Sequence, residues 1–243
     1  MPKKPKDEEK LVIESLRVQG FKNLLYEPIN NKPPDILVDD VIAVEVRRLN
    51  QNYLIDGKPT GLEQEYISTI NTITKILSQD PEEHFGESFY YSIKIRRPVP
   101  SKRVVKRILK KIVKSLDYKT LCKFEISIKN SIKLEVHPVG KKLSSLFELL
   151  STIDSDAGGW AITETVKNVK MIIDEKSEKI KDYKSMYDQW WLALVDTISY
   201  ELTQSEIKEI ESHLTTFGNF DKILIVNRLN KNHFNFIEKK KTL

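Results

Sequence analysis

Two short apolar segments near the start of the chain constrain its fold more than any other feature of the sequence. Residues 35–38 and 41–47 are rich in Val, Ile and Leu, which favours strands that are buried in a sheet. Asp39 and Asp40 lie between them and are typical of a two-residue turn. The sequence therefore predicts a β-hairpin in this region.

The rest of the chain alternates between segments of helical and strand periodicity. Helices are predicted over residues 8–25, 62–78, 101–116, 163–184 and 203–215. Strands are predicted over residues 89–95, 121–128, 132–136, 190–195 and 223–226. This alternation, together with the hairpins, predicts an α/β fold with a mixed central sheet flanked by helices. Because no linker is visible, we expect one domain over residues 1–243, with disordered tails at 1–7 and 238–243.

Composition narrows the class of protein. Hydrophobic residues make up 40% of the chain and charged residues 31%, which is typical of a globular protein. The single cysteine, Cys122, excludes an intramolecular disulfide and a zinc site built on cysteines. The densest apolar run, Trp190–Val195, is too short to span a bilayer, and no signal peptide is visible. We therefore expect a cytoplasmic protein without a membrane partner.

Glu45 is a carboxylate in an otherwise apolar predicted strand. It shares one face with Arg47, whereas Val44 and Val46 point the other way. Burial of an unpaired carboxylate costs free energy or raises its pKa, so Glu45 needs a partner. Two explanations stay open. One is an ion pair of Glu45 with Arg47 or a nearby lysine, and the other is a Mg²⁺ or Mn²⁺ ion held by Glu45 and Asp35.

The order of these residues resembles the PD-(D/E)XK superfamily of nucleases, which has the restriction-endonuclease-like fold. The family signature is Pro-Asp, a short interval, then Asp or Glu, any residue and Lys, on two adjoining strands. Pro34-Asp35 and Glu45-Val46-Arg47 match it in order and in strand context, except that Arg47 replaces the lysine. The close resemblance covers about residues 8–50 and, more loosely, residues 163–195.

The resemblance implies a metal-dependent nuclease with a restriction-endonuclease-like core and added elements. Asp35 and Glu45 would bind Mg²⁺ or Mn²⁺, and the substrate would be DNA rather than RNA. The family often adds an acidic residue from its first helix, for which Glu14 is the candidate, although an exposed helix position is the alternative for this residue. Many nucleases of this type pair to cut both strands, so a homodimer is a further expectation.

Arg47 raises the question of which residue would replace the family lysine. Arginine stabilises negative charge but stays protonated, so it cannot act as a base. Some family members carry the lysine on a nearby helix, and Lys176 and Lys179 lie three residues apart on one predicted helix face. The alternative is a solvated face that these lysines form with Glu175 and Glu178. Without a working lysine, the fold would be a catalytically inactive nucleic-acid-binding or protein-interaction module.

A second feature is the concentration of positive charge over residues 94–114, which contain ten basic residues and no acidic residue, although the net charge is only +5. On the predicted helix the cations occupy one face. Like charges three or four residues apart destabilise a helix, so such a face indicates an anionic partner, most simply nucleic-acid phosphates. Internal acidic neighbours and an anionic membrane are the alternatives. The candidate contacts are Arg97, Lys102, Arg103, Lys106, Arg107, Lys110, Lys111 and Lys114.

Overall fold

The computed structural model describes residues 4–55, 58–79, 87–117 and 122–239. The chain divides into two compact units. Unit 1 comprises Met1–Thr60 and Gly159–Leu243, and unit 2 is the intervening Gly61–Gly158. The sequence, in which no linker is visible, predicted one domain instead.

The predicted tails fall partly outside the described residues. Residues 1–3 and 240–243 are not among those that the structure describes. Asp7, in contrast, begins the first helix, and Glu238 ends the last strand.

Each predicted helix and strand has a counterpart, but the helix predicted over residues 8–25 ends at Val18, and residues 24–25 belong to a strand instead. Residue 121, predicted as the start of a strand, lies outside the described residues. The helices are α1 (Asp7–Val18), α2 (Leu62–Leu77), α3 (Lys102–Lys114), α4 (Ala161–Ile180) and α5 (Gln204–His213), with a 3-10 helix over Lys181–Met186. The first six strands are β1 (Leu24–Tyr26), β2 (Ile36–Val38), β3 (Ile42–Leu49), β4 (Asn52–Ile55), β5 (Lys58–Gly61) and β6 (Phe89–Ile95). The others are β7 (Phe124–Ile128), β8 (Ile132–Pro138), β9 (Phe147–Asp154), β10 (Gln189–Asp196), β11 (Lys222–Asn227) and β12 (Asn230–Glu238).

Unit 1 is built on a six-stranded mixed sheet with the strand order β1-β2-β3-β10-β11-β12. Strands β3, β10 and β11 are parallel, and the other pairings are antiparallel. Strands β2 and β3 form the predicted hairpin. Asp39 and Asp40 both have positive φ (48° and 62°), as a type I′ turn requires. The predicted mixed α/β fold with flanking helices is confirmed.

Helices cover both faces of this sheet. Val44 and Val46 of β3 share a core with Val12 of α1. Ala43, which points the other way, shares a second core with Ile173 of α4. The alternation predicted for β3 is therefore confirmed, and it directs the side chains at odd-numbered positions of this strand towards α4.

Unit 2 has its own four-stranded sheet, with the order β7-β8-β6-β9, and its own core. Ile73 of α2 and Leu109 of α3 pack in this core with Tyr91 and Ile93 of β6. Within the described residues of both units, no helix combines the length and apolarity needed to cross a membrane.

Candidate active site

Asp35 and Glu45 occupy neighbouring positions on the β2–β3 hairpin. Ile36 pairs with Val44, so Asp35 lies one position beyond this pair, opposite Glu45. An oxygen of Asp35, Oδ2, accepts a hydrogen bond of 2.8 Å from the backbone N–H of Val46. The antiparallel register of the hairpin thus places the two carboxylates on the same face of the sheet.

Two lysines of α4 reach the same carboxylates. The Nζ atoms of Lys176 and Lys179 lie 2.8 Å and 2.7 Å from Oε2 of Glu45. Lys179 Nζ also lies 3.9 Å from Oδ1 of Asp35. Both lysines reach Glu45 because residues three apart project from one side of a helix. Asp35, Glu45, Lys176 and Lys179 together are termed the carboxylate–lysine cluster.

The two lysines differ in their exposure. Lys176 is buried, whereas 43% of the Lys179 side chain is exposed. The sequence left open that both lysines lie on a solvated helix face with Glu175 and Glu178. Because Lys176 is buried, this alternative does not apply to it. Lys179 is the most exposed member of the cluster, followed by Asp35, whose side chain is 19% exposed.

Glu45 is 0% exposed, and its two oxygens have different surroundings. Oε2 accepts hydrogen bonds from both ammonium groups. Oε1 is buried and has no hydrogen-bond partner among the described residues. Most buried polar atoms in proteins are hydrogen-bonded, so Oε1 is an acceptor that the described side chains leave unsatisfied.

The charges of the cluster shift the pKa values of its members. Burial and the neighbouring charge of Glu45 raise the pKa of Asp35, against the opposing effect of the lysines and of the Val46 N–H. For Lys179, burial alone would lower the pKa, but the carboxylates of Glu45 and Asp35 outweigh burial and raise it. Lys179 is thus held in its cationic form.

Arg47, the residue in place of the family lysine, contacts a different partner. Its guanidinium forms an ion pair with Glu175 of α4, with an Nη2–Oε2 distance of 3.4 Å. Of the ion pairs that the sequence left open for Glu45, with Arg47 or with a nearby lysine, the structure shows the lysine form, with Lys176 and Lys179 as the partners. Arg47 links β3 to α4 beside the cluster.

Glu14 does not join the cluster, contrary to its expected role as a third metal ligand. Helix α1 packs on the face of the sheet that carries Val44 and Val46, opposite the face that carries Glu45. Glu14 forms an ion pair of 3.2 Å with Lys231 of β12. The prediction failed because the helical period shows which side of α1 is buried but does not show which face of the sheet that side covers.

The donor set of the cluster fits a hard divalent cation. Within the described part of the chain, no group of three or more His, Cys, Asp and Glu residues is placed to hold a metal ion. Mg²⁺ keeps several of its waters and is usually bound through one or two carboxylates together with substrate phosphates. Asp35 and the unpartnered Oε1 of Glu45 match that requirement.

The basic side of α3 is a separate feature, in unit 2. All its cationic side chains are exposed, and none of them forms an ion pair within the described residues. The helix is anchored by Val105 and Leu109, which are buried. We define the α3 basic face by the seven residues Lys102, Arg103, Lys106, Arg107, Lys110, Lys111 and Lys114.

Arg97 does not belong to this face, so its prediction as a nucleic-acid contact is wrong. Its side chain is only 6% exposed. The guanidinium donates to both oxygens of Asp154 at 2.6 Å and 2.8 Å, to Asp156 at 3.2 Å and to the carbonyl of Leu62 at 2.9 Å. The positive charge of Arg97 is therefore neutralised by acidic residues of the same unit, which was the alternative to nucleic-acid phosphates.

A groove next to the α3 basic face was not predicted. Its volume is about 550 Å³, and α2 and α3 together form it. The residues that line it are Gln64, Ile67, Ser68, Asn71, Thr72, Lys75, Lys102 and Lys106. The pairing of α2 with α3 is a tertiary contact, so the sequence contains no local signal for this groove.

No known protein family, curated protein or solved structure matches the chain.

Proposed function

We propose that the protein is a divalent-metal-dependent nuclease that hydrolyses phosphodiester bonds, with DNA as the expected substrate, and that the carboxylate–lysine cluster is its active site. The observation that carries this proposal is the unpartnered, buried Oε1 of Glu45 beside Asp35 and two lysines. Because most buried polar atoms in proteins are hydrogen-bonded, this unsatisfied acceptor favours a ligand at Glu45. The resemblance of Pro34-Asp35 and Glu45-Val46-Arg47 to the PD-(D/E)XK signature supports the same conclusion.

Asp35 and Glu45 are the residues that would hold the metal ion. With Mg²⁺ or Mn²⁺ bound to these residues, the site would have a metal-bound water of lowered pKa and a Lewis acid for the scissile phosphate. Because both ammonium groups contact Oε2 of Glu45, Oε1 is the oxygen left for a ligand.

The two lysines have different roles in this proposal. Lys179 is cationic and exposed enough to contact a phosphate, so it stabilises the negative charge that develops during hydrolysis. Lys176 is buried, compensates the charge of Glu45 and fixes its orientation, which makes it a positioning residue. Arg47 stays protonated and is held by Glu175, so it is not the base.

A catalytically inactive nucleic-acid-binding module is the second candidate. It is favoured by the pairing of Glu45 with two lysines, since these can neutralise the buried carboxylate without a metal ion. A protein-interaction module, a cytoplasmic location and pairing into a homodimer stay predictions from the sequence.

Cleavage assays separate the two candidates. Linear duplex DNA, single-stranded DNA and RNA are incubated with the protein in Mn²⁺, Mg²⁺ or EDTA. We expect cleavage that requires metal and is lost in Glu45→Gln and Asp35→Asn. Glu14→Gln is the matched control, because Glu14 is an acidic residue of unit 1 outside the cluster, and it should cleave like the wild type. Binding by the folded wild type without cleavage in either metal would instead support the inactive module.

A further inference from the structure

We propose that the α3 basic face binds the phosphate backbone of double-stranded nucleic acid without reading its sequence. This inference names the substrate class of the proposed nuclease and rests on that function. Binding can nevertheless be measured in the absence of cleavage, so the two proposals can fail separately.

The first support is the density of unpaired positive charge. The face carries seven cations over the 13 residues of α3, and none is neutralised by an ion pair within the described residues. A helix of this length spans about 20 Å. Over that distance one strand presents only about six phosphates, whereas a duplex presents about twelve. Seven cations are enough to neutralise one strand over this length and about half of the phosphates of a duplex, so their number indicates a nucleic-acid backbone of either kind.

The second support is the chemistry that the face lacks. Proteins that bind single strands combine cations with aromatic side chains on which unpaired bases stack. Helix α3 contains no aromatic residue, and Lys and Arg occupy all of its exposed positions. It also has no Asn or Gln, which pair with adenine in the major groove. The lack of aromatic residues favours contacts with phosphates over stacking on unpaired bases, and therefore a duplex over a single strand.

The groove between α2 and α3 extends this surface. Among the described residues that line it there is no carboxylate, so none of these residues repels a phosphate. Uncharged amides and hydroxyls commonly add hydrogen bonds to phosphate oxygens beside the cationic contacts. The groove residues with an uncharged amide or hydroxyl include Gln64, Ser68 and Asn71, and Lys75, Lys102 and Lys106 add cationic contacts beside them.

The test compares two triple variants that remove the same charge. Lys106→Gln/Lys110→Gln/Lys111→Gln changes the α3 basic face. Lys94→Gln/Lys123→Gln/Lys141→Gln removes three exposed lysines of unit 2 that lie outside α3. Glutamine is a good helix former, and the removal of like charges relieves repulsion, so the α3 variant should fold. A thermal melt of each variant checks this.

Affinity is measured in EDTA by fluorescence anisotropy, with 25-base-pair duplexes of several sequences and the matching single strands, from 50 to 300 mM NaCl. We expect the wild type to bind all duplexes alike and to prefer them to single strands. The α3 variant should lose at least about tenfold in affinity at 100 mM NaCl, and its log–log salt slope should fall by roughly two to three. The control variant should stay within about twofold of the wild type.

Three results would overturn the inference: no duplex binding by the wild type at 50 mM NaCl, preference for single strands, or equal losses in the two triple variants. Salt-sensitive duplex binding without metal-dependent cleavage would leave this inference intact and count against the nuclease. Metal-dependent cleavage by the wild type, together with unchanged duplex affinity in the α3 variant, would support the nuclease and count against this inference.

Discussion

Glu45 is a buried carboxylate whose stability depends on the two lysines that contact it. Removal of one partner from a buried ion pair leaves an uncompensated charge, which typically costs about 3–5 kcal/mol. Lys176 is buried beside Glu45, whereas Lys179 is partly hydrated and one partner remains after either substitution. The two positions should therefore respond differently to the same change.

We expect Lys176→Met to lower the free energy of unfolding by about 2–4 kcal/mol and Lys179→Met by about 1 kcal/mol or less. Cleavage should show the opposite order, because Lys179 is the residue that contacts substrate. Lys179→Arg, which keeps the charge, should recover part of the activity. Urea unfolding and cleavage rates measure both effects. Equal losses of stability and activity at the two positions would contradict the division of roles.

In unit 2, Asp154 owes its ionised state to Arg97. Burial alone would raise the pKa of Asp154, but the hydrogen bonds from the guanidinium outweigh burial and lower it. A lowered pKa in the folded state means that the carboxylate stabilises the fold above its ordinary pKa of about 4. This stabilisation is lost as the pH falls through the lower, folded value.

Asp154→Asn should therefore be less stable than the wild type at pH 6 and should lose less stability on acidification. The two urea midpoints should converge towards pH 2, as followed by circular dichroism. Curves that stay parallel from pH 6 to pH 2 would show that the bond between Asp154 and Arg97 does not provide this pH dependence.

Elements with a strong local signal were predictable from the sequence, and elements defined by long-range pairing were not. The β2–β3 hairpin is marked by its apolar strands and by Asp39-Asp40, and β10 by the adjacent Trp190-Trp191, both buried. Of the strands that were missed, β1, β9 and β12 lie at sheet edges. An edge strand buries few side chains, so its sequence shows little alternation of apolar and polar residues. In β9, for example, most side chains are exposed or only partly buried.

The position of α4 depends on a close contact with the loop before β11. Gly218 has a φ of 55°, and a Cβ atom added there would overlap the hydroxyl of Ser177 in α4. The same hydroxyl accepts a hydrogen bond from the backbone N–H of Asn219. Since α4 carries both lysines of the cluster, this contact helps to fix the helix that the site requires.

Gly218→Ala should lower the free energy of unfolding by about 2–4 kcal/mol, through steric overlap added to the strain of a positive φ. Gly20→Ala is the matched control, because Gly20 also has a positive φ (95°) but has no atom within 4 Å of an added Cβ. It should cost only about 1 kcal/mol. Thermal unfolding measures both, and equal losses would show that the contact with Ser177 is not restrictive.

The division into two units explains why the sequence could show the cluster but not the domain organisation. Unit 2 is inserted between β3, which carries Glu45, and α4, which carries the lysines. Both units alternate helices and strands, so composition does not change at their boundaries. Within unit 2, Arg97 bonds to Leu62 near its beginning and to Asp154 near its end, and so holds its two ends together. The match of Asp35 and Glu45 to a known signature was visible in the local sequence. The residues that pair with each charged side chain could be identified only from the fold.

The proposed separation of chemistry in unit 1 from substrate binding in unit 2 predicts different kinetic defects. A residue that contacts only the backbone of the substrate away from the scissile bond contributes equally to binding in the ground state and the transition state, so its loss raises KM. The α3 triple variant should raise KM for duplex DNA about tenfold at 100 mM NaCl with kcat unchanged, and the difference should grow at lower salt, because the wild type has the steeper salt dependence. Lys179→Met should instead lower kcat with KM within about twofold. Steady-state cleavage at two salt concentrations distinguishes them, and a fall in kcat without a rise in KM for the α3 variant would mean that its basic face takes part in the chemical step.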